Sequence, residues 1–138
     1  MQIDFAFICD YAETGGKINA MGIGFDTIFA KQVPVTHSQF FLVAQFRGSV
    51  AETGEKEVTM RLIDADGADV MPELNVSVRL AQPPQGSTES TARLALRLNS
   101  VVFKKFSEYS IHLLVGGNEV VRIPMRVAEA PVDAGRQA

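Results

Sequence analysis

Strict two-residue alternation of apolar and polar side chains governs three separate stretches of this chain. Val58, Met60 and Leu62 alternate with Thr59 and Arg61; Leu74, Val76, Val78 and Leu80 with Asn75, Ser77 and Arg79; Leu94, Leu96 and Leu98 with Arg93, Ala95 and Arg97. Successive side chains of a strand point to opposite faces, so each stretch has one core face and one wet face. Helical spacing would scatter the same apolar residues around an axis, which excludes helix here.

Other stretches are apolar on both sides. Ile3, Phe5, Phe7 and Cys9 oppose Ala6 and Ile8, while Phe40, Leu42, Ala44 and Phe46 oppose Phe41 and Val43. A strand apolar on both faces is either covered twice or lies at a contact surface. Lys17 to Ala30 reads as two short strands bent at Gly22 and Gly24. Turns fall at Glu13–Gly16, Ala65–Gly67 and Gly116–Asn118, and Gln82 to Ser90 is a longer polar loop. The runs give about eight or nine strands and no helix, so the expected fold is all-β, an immunoglobulin-like Greek-key β-sandwich. Residues 1–127 form the single domain and 128–138 a flexible C-terminal tail. Tyr109 opens the penultimate strand, where the tyrosine of a tyrosine corner ties its hydroxyl to nearby backbone.

Charge and cysteine usage narrow the function classes. The chain has 138 residues, with 13 Lys and Arg against 16 Asp and Glu, a net charge of −3. A domain that works on the phosphate backbone normally carries a basic excess, so nucleic acid is not the expected partner. No apolar run approaches the roughly 18 residues of a membrane helix. The opening residues read as a strand of the mature fold and not as a signal peptide. A single cysteine, Cys9, cannot form an internal disulfide, and the expected location is the cytoplasm.

Three constellations could carry chemistry. Asp64, Asp66 and Asp69 surround Gly67 as hard-cation ligands would, but the spacing departs from an EF-hand loop, and Asp-x-Asp-Gly is ordinary turn chemistry. Cys9 with His37 or His112 would need a thiolate in an electropositive pocket; Cys9 instead ends an apolar strand. Arg61, Arg79, Arg93 and Arg97 share the outward parity of successive strands and would form an anion-holding stripe if those strands were neighbours. A solvated outer face is the simpler account of them.

The opening MQIDFAFICDYAE, the segment Gly22-Ile-Gly-Phe-Asp-Thr-Ile28, Val33 to His37 and the closing Tyr109-Ser-Ile…Arg122-Ile-Pro hairpin resemble a bacterial family known only as a domain of unknown function. The resemblance spans nearly the whole chain except its tail. It implies a compact sandwich of cytoplasmic origin and transfers no functional residue. The expected function is therefore a non-enzymatic binding or assembly module without cofactor, docking a protein partner or a second copy as a homodimer through Phe41 and Val43. The alternative is a small-ligand or ion-binding protein using the arginine stripe or the Asp64–Asp69 turn.

Overall fold

Alternation becomes ten strands in the computed structural model, which describes residues 1–131. They are β1 (Gln2–Cys9), β2 (Tyr11–Thr14), β3 (Ile18–Met21), β4 (Thr27–Ala30), β5 (Val35–Ser49), β6 (Gly54–Asp64), β7 (Leu74–Leu80), β8 (Glu89–Phe103), β9 (Ser107–Val115) and β10 (Asn118–Glu129). One 3-10 turn at Val50–Glu52 is the sole helical element among the described residues. The strands form a three-stranded sheet in the order β1-β5-β8, a five-stranded sheet β4-β10-β9-β6-β7 and a two-stranded hairpin β2-β3. Neighbours are antiparallel except β4, which runs parallel to β10.

The two larger sheets share one core. Ile8, Phe40, Leu42, Phe46, Leu98 and Phe103 come from the three-stranded sheet, and Met60, Leu62, Leu80, Ile111, Leu113 and Met125 from the five-stranded one. Each large apolar side chain fully buried there contributes about 1.5–3 kcal/mol. β5 and β8 make the longest ladder, from Val35↔Phe103 to Ser49↔Glu89. Along β8 the buried set changes parity, from Ala92 and Leu98 to Val101 and Phe103. Between them Ser100 takes a left-handed φ of 53°, which rotates the strand so that its other side meets the core.

The second face of β5 is covered by the chain itself. Phe41 and Val43 form a separate buried cluster with Cys9 and Ala12, against which Phe7, Ile18, Ala20 and Ala95 pack. The β2–β3 hairpin thus lies over the outer face of the three-stranded sheet. Its base is tied down by the Asp10 amide on the Met21 carbonyl (3.0 Å) and the Gly24 amide on the Ile8 carbonyl (3.1 Å). Gly22 turns the chain at φ 70°, and a Cβ there would collide with the Asp10 carboxylate.

This corrects the expectation that Phe41 and Val43 face a partner: both are buried, at 7% and 0% exposure, beneath a segment of their own chain. The sequence could not assign that role because a four-residue strand such as β2 carries too little pattern to say where it packs. The tail boundary also moves. Ala128 and Glu129 continue β10 beside Phe29 and Ala30, and the Ala130 amide bonds the Ala30 carbonyl at 2.8 Å. The expected tail beyond that point, 132–138, lies outside the described residues.

Candidate functional site

The β9–β10 hairpin turns through Gly116 and Gly117, both at positive φ, as the Gly-Gly-Asn sequence requires. Tyr109, Ile111 and Leu113 of β9 point into the core, so Glu108, Ser110 and His112 point outward. On β10, Met125 and Val127 point inward and Arg122, Pro124 and Arg126 outward. Strand register then sets out rows across the outer face. Arg61 of β6 pairs with His112, which pairs with Arg122; Ile63 pairs with Ser110, which pairs with Pro124; Glu108 pairs with Arg126, which pairs with Thr27. A groove of about 620 Å³ runs over these rows and ends against the Asp64–Gly67 turn.

Three polar side chains in this region form a hydrogen-bonded line. Ser110 Oγ lies 2.7 Å from His112 Nε2, and His112 Nδ1 contacts Glu119 Oε1. A carboxylate only accepts, so Nδ1 carries the imidazole proton of a neutral His112. Nε2 is then the acceptor and the Ser110 hydroxyl the donor. Ser110 is the one buried polar residue among the described residues, and it lines the groove.

The cations around the groove are not equivalent. Arg61 is engaged by Asp69 at 3.2 Å and Glu73 at 3.9 Å. Arg126 donates from Nε to Thr27 Oγ1 at 3.1 Å. Arg122 is exposed, lines the groove and makes no salt bridge among the described residues.

The arginine stripe does not assemble, which is a second correction. Arg61 and Arg79 lie on the outer face of the five-stranded sheet, whereas Arg93 and Arg97 lie on the outer face of the three-stranded sheet, on the far side of the core. Arg79 pairs with Glu55 at 3.5 Å, and Arg93 donates to Gln45 at 2.9 Å. Equal parity along successive strands does not reveal that the chain crosses from one sheet to the other between β7 and β8.

The remaining candidates disperse as well. In the Asp64–Asp69 turn, Asp64 Oδ1 accepts from the amides of Asp66 and Ala68, each at 2.9 Å, while Gly67 takes φ 84°. Those bonds, the Ala68 amide first, hold the Asp64 carboxyl below its usual range. Asp66 reaches Lys105 and Asp69 reaches Arg61, so the three carboxylates serve different partners. No three His, Cys, Asp or Glu side chains gather as a metal site would need among the described residues. Cys9 is fully buried; burial first, then the Asp10 charge, pushes its thiol pKa up, away from a reactive thiolate. It lies under the hairpin, with the core shared by the two larger sheets between it and His112. His37 packs against the rings of Phe25 and Phe40. Tyr109 donates from its hydroxyl to the Lys105 carbonyl at 2.8 Å and accepts from the Lys105 amide at 3.3 Å.

Ser110, Glu119 and Arg122 were not singled out from the sequence. A signal was available: Ser110 shares the outward parity of His112 two residues on, and Glu119 follows a two-glycine turn that folds β10 back beside them.

These observations define an all-β protein whose two main sheets share one core and whose polar groove crosses an outer sheet face. The sequence profile of the family described as "Family of unknown function (DUF6941)" matches residues 4–128, and the chain belongs to that family. Among curated proteins, none matches the chain.

Proposed function

We propose that the chain is a binding module that takes a small polar, anionic ligand in the groove over β9 and β10. Arg122 carries this reading: it is an exposed cation on the groove wall that no carboxylate engages among the described residues. The volume, about 620 Å³, falls in the range of small-molecule sites, which combine a preformed hollow with a few convergent polar groups. Arginine suits a carboxylate or phosphate because its planar fork donates two parallel hydrogen bonds.

Titration of the labelled protein with acetate and with inorganic phosphate, followed by amide NMR, tests it. Shifts gathered on Ser110, His112 and Arg122 and lost in Arg122→Gln support the reading. Shifts gathered at Arg79, Arg93 or Arg97 instead, or none at all, overturn it.

Assembly with a protein partner or a second copy is the second reading. Its support is Phe29, an outward side chain of the edge strand β4 that is 61% exposed. Sedimentation at micromolar concentration, with Phe29→Lys as the variant, decides it: a monomer in both forms removes self-association.

Three finer assignments accompany the proposal. The Tyr109 hydroxyl tie to backbone supports an immunoglobulin-like Greek-key sandwich. A lone, buried, free cysteine supports a cytoplasmic location. The opening and closing sequence strings support a bacterial origin.

A further inference from the structure

We propose that Ser110, His112 and Glu119 form a nucleophilic relay and that the groove takes carboxylic esters, with Ser110 as the acyl acceptor. This rests on the groove being a ligand site: the acid released is an anion of the kind Arg122 suits, and the ester is its precursor.

The argument is the order of the groups. A serine hydroxyl is a weak nucleophile until an adjacent base takes its proton, and an imidazole does so only with its unprotonated nitrogen toward the serine. In the neutral imidazole Glu119 accepts from Nδ1, which leaves Nε2 to face Ser110 Oγ at 2.7 Å. The same carboxylate would stabilise the imidazolium that follows proton transfer. Ser110 and His112 are held two positions apart on one rigid strand, which fixes their separation without a flexible loop.

In the forward step Ser110 Oγ attacks the ester carbonyl carbon while its proton passes to His112 Nε2. The carbon–oxygen bond to the alcohol breaks, and His112 returns the proton to the departing alkoxide. Water then attacks the acyl carbon as its proton passes to His112; the bond from that carbon to Ser110 Oγ breaks, His112 returns the proton to Oγ, and the acid leaves with Ser110 restored. Negative charge develops on the carbonyl oxygen in both halves. A positively charged side chain on the groove can meet that charge. Arg122, directly across the ladder from His112, is the donor on the groove wall.

The folded protein is exposed to a fluorophosphonate probe, and the site of the adduct is mapped by peptide mass spectrometry; p-nitrophenyl acetate hydrolysis is followed in parallel. One adduct on Ser110 is expected, absent in Ser110→Ala and forming about a hundredfold more slowly in His112→Asn. Glu119→Gln, an exposed substitution that keeps the shape, is expected to slow both reactions at least tenfold with the melting temperature unchanged. No adduct on Ser110 in the folded protein overturns the relay, as does an equal labelling rate in Glu119→Gln. Acetate and phosphate shifts at Arg122 that persist alongside either negative result leave the groove as a ligand site without chemistry. Loss of those shifts together with intact labelling refutes the anion reading alone.

Discussion

The ring of Tyr11, in the hairpin, stands edge-on to the ring of Phe41, in the central strand beneath it, with centroids 5.2 Å apart and planes at 68°. This pair closes one side of the second apolar cluster, which makes the hairpin part of the packed structure. Phe41→Ala is therefore expected to cost about 3–5 kcal/mol, the range for a buried phenylalanine. Phe41→Lys should cost more, since it also buries a charge. Urea unfolding measures both. A loss under about 1 kcal/mol for Phe41→Lys would mean that the hairpin stands open in solution.

Tyr109 anchors the start of β9 to the Lys104–Lys105 corner through two bonds to one residue's backbone. Tyr109→Phe removes the acceptor of one and the donor of the other while leaving the ring against Phe103. The expected loss is about 1–3 kcal/mol, the range for stranding a buried polar group. Denaturant midpoints at constant slope would establish it; an unchanged midpoint would reduce Tyr109 to a packing aromatic.

Stability is expected to fall with decreasing pH in two stages. Burial holds the His37 pKa below its usual value near 6.5, against a weaker opposing pull from Asp10. The unfolded chain thus takes up that proton first, and stability drains as pH falls below about 6.5 until the folded histidine protonates too. Asp4 is held low by its bonds to Arg47 and then Gln45, and Asp64 by the Ala68 amide. Their contribution is present above about pH 3.9 and is lost as pH drops through their depressed folded values. His37→Phe should erase the upper stage, and Asp4→Asn should flatten the lower one, in melting curves taken from pH 8 to pH 2.

Asp64→Ala and Asp66→Asn should separate the turn from any cation site. Asp64 organises the loop by accepting two amides, so its loss should lower the melting temperature. Asp66 contributes only an exposed contact with Lys105 at 3.6 Å, so Asp66→Asn should change little. Neither variant should alter the response to calcium or chelator. A calcium-dependent rise abolished by Asp66→Asn would reverse the assignment.

Strand identity was legible where polarity alternates, because β6, β7 and the middle of β8 have one dry face and one wet face. The bend at Gly22 and Gly24 and the Gly116–Gly117 turn were equally plain, since only positive φ suits both places. Pairing was less legible. Arg61 and Arg93 share a parity but occupy opposite sides of the molecule, a fact set by sheet order and invisible in a single strand. The full length of β8 was hidden by Ser100, where the inward parity reverses and the pattern breaks. The hairpin above Phe41 and Val43 could not be placed from Tyr11–Thr14 and Ile18–Met21 because such short runs carry little periodicity. The Ser110–His112 half of the candidate site lies within one strand and could be read from spacing; Glu119 and Arg122 needed the register of β10.

β10 is the last strand among the described residues yet occupies an interior position of the five-stranded sheet, with β9 on one side and the far earlier β4 on the other. During synthesis, Thr27 must wait for Arg126, nearly a hundred residues later, before its parallel pairing can form. The five-strand order therefore cannot be completed until β10 itself has been made. Until then β4 and the outer edge of β9 stay unsatisfied, and premature termination before β10 leaves two open edges available for aggregation.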